Sequence, residues 1–450
     1  MKTIQEHRKV VEKISDFAFA NAVNSVGIDN LTEKLVGNWG KDEQLNFIVK
    51  VHDGFKKAQN LLIEEIQYYQ SLLREEKIQL KHWRKEKDKS KENDSKRTIK
   101  IITQRLHTYS HIADGIAWQV IGGQLHIARR FHIEEDSTKF LDSSNVEHAI
   151  SVVNDINKNP LEFALISDLT SFVQIGDVLV KHKEGVKIIE LKEGKVNDKV
   201  SEFINQLEKE KIPITDKVLE DKFDDKTFKQ AKRMQRQKER AKKASEIMNH
   251  DKGIDPVSGY EITVSTPNIP TLGYDQEFNK LREILDKKTW AYTVVEGCLH
   301  IGMYRDEGIK MAGFAVEQIL KQETKNYIIA DWLSITASLS QPIFAKPFEP
   351  NFITDILTGK IKIIIGLNLD IMIELFNDYG LKTKWMTTKE TAKAKQVVPR
   401  KGMFVLNNRG ISMEGNNKNE ESWILYGGII SKIIYDNILP SNIVQTLLTR

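Results

Sequence analysis

Ile175-Gly-Asp-Val-Leu-Val-Lys-His-Lys-Glu-Gly-Val-Lys-Ile-Ile-Glu-Leu-Lys192 is the stretch whose reading decides the fold. Two β-rich runs, DVLVK and VKIIE, flank the polar pair Lys183-Glu184, the pattern of a hairpin. Residues two apart on a strand share a face, so Glu190 and Lys192 point together while Leu191 points to the other side. Asp177 lies as far before the turn as Glu190 lies after it, which predicts that the two acids face each other. Opposed β-carbons are roughly 4.5–5.5 Å apart, close enough for two carboxylates to share one divalent cation. Without a cation between them, such a pair repels. Mg2+ or Mn2+ suits the pair, because a hard ion of this kind takes few carboxylates and fills its shell with water and phosphate oxygens. Bound there, it would polarise a phosphoryl oxygen and lower the pKa of a bound water. Lys192 would hold that water or offset charge growing on the phosphorane. Glu-x-Lys alone is uninformative, since it begins at Glu75, Glu190, Glu193, Glu220 and Glu323. Only the one at Glu190 ends a β-branched run and follows a strand that opens with an acid.

An acid on one strand followed by Glu-x-Lys on the next resembles the PD-(D/E)XK nuclease superfamily, over roughly residues 145–245. The resemblance implies an α/β chain with a restriction-endonuclease-like mixed sheet core and flanking helices. It also implies Asp177 and Glu190 as catalytic metal ligands, Lys192 as the helper of the nucleophile, and Mg2+ (or Mn2+) as cofactor. Gly176 stands where the family's first signature has proline. The family often carries a glutamine-bearing helix after its third strand, for which Gln230 and Gln235 are candidates. For the upstream helical acid of some members, Glu147 and Asp114 compete.

The segment Lys226–Lys243 carries nine basic residues against one acid, Glu239. At helical spacing Lys226, Lys229, Arg233, Arg236, Arg240 and Lys243 fall on one stripe. That stripe reads as a phosphate-binding face, with Lys229, Arg233, Arg236 and Arg240 as nucleic-acid-binding candidates.

Upstream, residues 1–140 read as a helical N-terminal region. Phe55, Leu61, Leu62, Ile66, Tyr69, Leu72, Leu73 and Ile78 recur at intervals of three and four, an amphipathic pattern. Arg84–Arg97 holds seven basic and four acidic residues and no apolar side chain between its ends, so it reads as an exposed helical extension or a loose connector. Residues 141–252 form the expected nuclease-like core with its basic helix, and DKGIDPVSGYE marks a boundary. Residues 255–450 read as a separate α+β domain.

The whole chain has 450 residues with 67 Lys and Arg against 63 Asp and Glu, a net +4. That balance excludes a uniformly basic nucleic-acid coat and makes any such surface local. One cysteine, Cys298, excludes a disulfide framework and a cysteine-based zinc cluster, and is expected to be a buried thiol. The opening MKTIQEHRKVVEK has no apolar core of a signal peptide, and Ile361–Phe376 is interrupted by Lys362, Asn368, Asp370 and Glu374. The expectation is a cytoplasmic protein that does not engage a membrane.

Three functional readings follow. The first is a metal-dependent DNA endonuclease, with a role in restriction or anti-phage defence by analogy with the superfamily and a homo-oligomer or a defence-system protein as partner. The second is a non-catalytic nucleic-acid-binding or scaffold protein. The third rests on Arg105 and His111, whose spacing resembles the Arg-x(4–6)-His signature of HEPN ribonucleases, which need no metal.

Overall fold

The structure is a computed structural model that describes residues 1–26, 40–132, 141, 146–183, 185–191, 195–210, 212–250, 252–255, 259, 261–263, 269–334, 340–397, 402–414 and 422–449. It divides into two compact units, Met1–Val264 and Ser265–Arg450. Both mix helices with small antiparallel sheets, and the N-terminal part is helical. No helix among the described residues is long and apolar enough to cross a membrane.

The first unit begins with α1 (Ile4–Ser15), which runs through a π-helical segment (Asp16–Ala20) into α2 (Asn21–Val26). Two long helices, α3 (Lys41–Glu86) and α4 (Lys89–Val120), then pack against each other as a hairpin. Lys87 closes the turn in the left-handed region at φ 57°, and the Asp88 side chain caps α4 by accepting from the Lys91 amide. The α3 stripe expected from periodicity is buried at Phe55, Leu62, Ile66 and Tyr69, but Ile78 is 68% exposed. Gly54 lets the π-helical segment pass close to α3, since a β-carbon there would lie 2.2 Å from the Phe17 carbonyl oxygen.

Under α1 the hairpin buries polar side chains in one network. Tyr109 donates to Glu65 at 3.0 Å and meets His7 Nδ1 at 3.1 Å, while Lys2 also pairs with Glu65. Arg105 donates to the Tyr69 hydroxyl and to the Lys2 carbonyl, both at 2.8 Å. Burial, with the Arg105 and Lys2 charges, pushes the His7 pKa down to about 4. A histidine held neutral in the fold loses stability as pH falls from its ordinary value near 6.5 toward 4. His7→Gln should therefore be less acid-sensitive than wild type. The gap between their unfolding free energies should change by about 3 kcal/mol between pH 7 and 4, read by urea melts. Two curves of constant separation would contradict it. Asp114, buried on α4 and pushed up to about 7 by that burial, titrates with the opposite sign and cancels in this difference.

After α5 (Leu125–Phe131) and α6 (Val146–Ile156) comes a three-stranded antiparallel sheet, β1 (Phe163–Ile166), β2 (Val178–His182) and β3 (Gly185–Ile189), in that spatial order. Short connections between successive strands favour antiparallel pairing. Every described strand pair in the chain is antiparallel, so no parallel strand of a mixed sheet occurs among the described residues. The free edge of β1 is sealed by side chains. Gln59 of α3 donates to Ala164 O and accepts from Ile166 N, both at 2.9 Å, and Asn157 brackets Ala164 in the same way. Two amide side chains thus satisfy ladder groups that would otherwise be orphaned at a buried edge.

Three helices follow, α7 (Lys195–Lys209), α8 (Asp216–Lys222) and α9 (Asp225–His250). They share a core of Val200, Ile204, Leu219, Ala231 and Met234, lined by Phe203 and Phe228. The small hairpin β4 (Lys252–Ile254) and β5 (Glu261–Thr263) ends the unit.

The second unit is built on a four-stranded sheet of β6 (Trp290–Val295), β7 (Leu299–Arg305), β8 (Tyr327–Asp331) and β9 (Ile361–Asn368), in spatial order β6-β7-β9-β8. The helix Phe314–Glu323 packs on β7 and β9, where Val316 and Leu320 rest over Gly302 and Gly366. Cys298 is buried, and that burial pushes its thiol up to about 12, so it packs as an unionised group.

Candidate functional site: an acidic hairpin and a basic helix

The β2–β3 ladder keeps one register from His182↔Gly185 at the turn to Val178↔Ile189 at the other end. One step further along lie Asp177 and Glu190, just past the strand ends. At that step the chain departs from regular pairing. The Asp177 amide donates to Ile189 O at 2.9 Å, while its carbonyl accepts from Ser167 N of the opposite neighbour at 2.9 Å. In an unbroken strand both groups of one residue point to the same neighbour. Asp177 and Val178 therefore both face Ile189, as in a β-bulge, a device that re-aims a side chain. The Asp177 carboxylate turns toward β3 and accepts from Leu191 N at 2.6 Å. That amide belongs to the peptide joining Glu190 to Leu191. The acid is thus brought to Glu190's own peptide rather than squarely opposite its side chain.

Gly176 makes this possible. It sits at φ +75°, where a β-carbon would lie 2.2 Å from Ile188 Cγ2 and 3.1 Å from Ile189 O. Proline, locked near φ −65°, fits neither the dihedral nor the space. The absence of proline at this position is a consequence of the bulge.

A small pocket of about 10 Å³ opens beside Asp177, lined by Val146 and Ala149 of α6, Ile166, Asp168, Leu191 and Leu141. Asp168, on the short 3-10 turn after β1, is an acid that sequence reasoning passes over. Its signal is its place in FALISD, at the end of the strand that pairs with the Asp177 strand. Lys192 lies outside the described residues. Among the described residues no group of three or more His, Cys, Asp or Glu side chains converges as a metal site. The donor chemistry at the bulge nonetheless fits a hard cation, because a carboxylate, with about four lone-pair positions, can serve a backbone amide and a metal ion together.

The competing upstream acids separate. Asp114 is buried and holds the Ser171 amide and hydroxyl, each at 2.7 Å, so it fastens the chain after β1. Glu147 is exposed on α6, between the pocket residue Val146 and His148. Gln230 donates to Asn197 at 2.9 Å and Gln235 to Ile214 O at 3.1 Å, so both tie α9 to its helical layer. Arg105 is 6% exposed within the buried network, and His111, six residues on, leaves the helix on a different side.

Along α9 Ala231 and Met234 are buried on the side away from the stripe, and further on Ala244 and Ile247 are buried about 140° round the helix from them. Lys226, Lys229, Arg233, Arg236 and Arg240 line the outer faces, and Lys243 is half-buried. Among the described residues none of these first five cations has an ion-pair partner, whereas Lys232 pairs with Asp216 and Lys238 donates to Asn205. From Lys226 to Arg240 the stripe runs about 21 Å along the helix.

No protein-family model, curated protein or solved structure matches the chain.

Proposed function

We propose that the chain is a metal-dependent nuclease that hydrolyses phosphodiester bonds of DNA in a restriction-endonuclease-like core formed by β1–β3 and their flanking helices. The observation that carries the reading is the β2–β3 register, which ends one step before Asp177 and Glu190 and leaves both acids at one end of the hairpin. Asp177 and Glu190 would hold Mg2+ or Mn2+, an ion that supplies Lewis acidity and a water of lowered pKa. The bulge at Asp177 fixes its carboxylate through the Leu191 amide, so this ligand is positioned before substrate arrives. Lys192, two residues beyond Glu190, is assigned to the nucleophile by the resemblance. The α9 stripe presents cations to the phosphate backbone and positions it without reading sequence.

The test is incubation of the protein with plasmid and with single-stranded DNA and RNA, with Mg2+, with Mn2+ and with chelator. Cleavage that appears with metal and stops with chelator is the expected result. No cleavage under any condition, or cleavage indifferent to chelator, overturns the reading.

The stripe has its own expected outcome. Lys229→Glu with Arg233→Glu and Arg236→Glu should weaken DNA binding and flatten its salt dependence. Each phosphate that the protein neutralises adds about 0.9 to the steepness of log K against log salt on duplex DNA. An unchanged slope in a salt titration would make the stripe a solvated face.

A further inference from the structure

We infer that the distal half of the α3–α4 hairpin is a rigid arm that docks on nucleic acid, a second binding surface besides α9. It rests on the proposed reading only in taking nucleic acid as the ligand. Apolar burial on α3 stops at Tyr69, and on α4 it resumes at Ile102. Between residues 71 and 101 only Glu92 and Ser95 are buried, so this part of the hairpin is held by its own two helices. On α3 alone, Ser71–Glu86 is 16 residues, a reach of about 24 Å.

The arm keeps half-buried apolar side chains such as Leu72, Leu80, Trp83 and Ile99, and near its tip it adds a cluster of charge. Glu92, 6% exposed, is gripped by Lys96 at 2.9 Å, Lys89 at 3.0 Å and Arg84 at 3.5 Å. Those lysines, Lys96 first, pull its carboxyl down to about 2. Lys91 covers the Trp83 ring at 4.3 Å, which keeps that indole from forming an apolar tip. The grip uses only part of the positive charge. Residues 81–100 hold nine basic side chains against four acids. Lys81, Lys85, Lys87, Arg97 and Lys100 are exposed and have no ion-pair partner among the described residues.

A protruding, ordered, cationic hairpin fits a polyanion. Duplex DNA offers one phosphate charge per about 1.7 Å, so an arm of this length spans many phosphates. A membrane surface is a poorer match, because an interfacial helix needs an apolar face to insert. The only large hydrophobic exposed on the described arm is Ile78.

The test uses the full chain with chelator present, and follows binding to a 30-base-pair duplex by fluorescence anisotropy across a salt series. Proteins compared are wild type, an arm variant (Lys81→Glu, Lys85→Glu, Arg97→Glu, Lys100→Glu), the same four positions changed to Gln, and the α9 stripe variant. Circular dichroism checks that helicity is kept, and the Gln set removes charge without adding repulsion. Both arm variants should bind at least tenfold more weakly at low salt. Their salt slopes should be shallower by about 0.9 for every phosphate the arm no longer neutralises. Arm variants that bind as wild type does, or a wild type that binds no duplex, overturn the inference. So does a loss confined to anionic lipid vesicles run in parallel. Failure of the nuclease reading looks different: wild type then binds without metal but cleaves nothing when Mg2+ or Mn2+ is added.

Discussion

Glu190→Ala should lower the cleavage rate on the order of a thousandfold or more while leaving the protein folded. The side chain is half-buried and lies just past the end of β3, so the ladder, made of backbone groups, does not depend on it. A lost ligand removes charge stabilisation that exists only when the phosphoryl group reacts, and about 4 kcal/mol of that corresponds to the thousandfold loss. Lys192→Ala should have an effect of the same order for the reason the resemblance implies. Single-turnover cleavage with Mn2+, beside a thermal melt of each variant, measures both quantities. Either variant cutting at the wild-type rate would remove these residues from the reaction.

Gly176→Pro should destabilise the first unit by about 4 kcal/mol or more, enough to abolish a cooperative melt in a marginally stable protein. Three costs coincide there. The φ of +75° is closed to proline, the first side-chain carbon would sit 2.2 Å from Ile188 Cγ2, and the neighbouring Asp177 amide would be dragged from Ile189 O. Gly176→Ala carries the steric and dihedral costs but not the ring, and should fall between wild type and the proline variant. A Gly176→Pro protein that melts like wild type would mean that the bulge is not as described.

Much of the hairpin is legible in the sequence because strand period and turn position are local. The turn at Lys183 and the register through Val178↔Ile189 follow from two β-branched runs around one polar pair. The α9 stripe is legible for the same reason: a 3.6-residue period sorts Lys229, Arg233, Arg236 and Arg240 from Ala231 and Met234. The bulge is not legible. Strict alternation places Asp177 opposite Glu190, and only the left-handed backbone at Gly176 turns its carboxylate to the Leu191 amide. The sealing of β1 by Gln59 is equally hidden, since the partners are over a hundred positions apart and their pairing is tertiary. The charged run at 84–97 lacks apolar residues and so reads as an extension or connector. In the structure it is the end of a helical hairpin, where a buried carboxylate, Glu92, pairs with Lys89 and Lys96 of its own helix and with Arg84 of the other.

Thermal melts of wild type and Asp177→Asn, each with chelator and with Mn2+, test the central claim most directly. Asparagine keeps an oxygen that can accept from Leu191 N, so the bulge survives, but it removes the charge that a cation requires. Wild type should gain about 2.7 kcal/mol at a Mn2+ concentration roughly one hundred times the dissociation constant, by mass action. Asp177→Asn should match wild type in chelator and gain nothing from Mn2+. A variant that gains as much from Mn2+ as wild type does would show that Asp177 holds no metal, and the proposed site would be wrong.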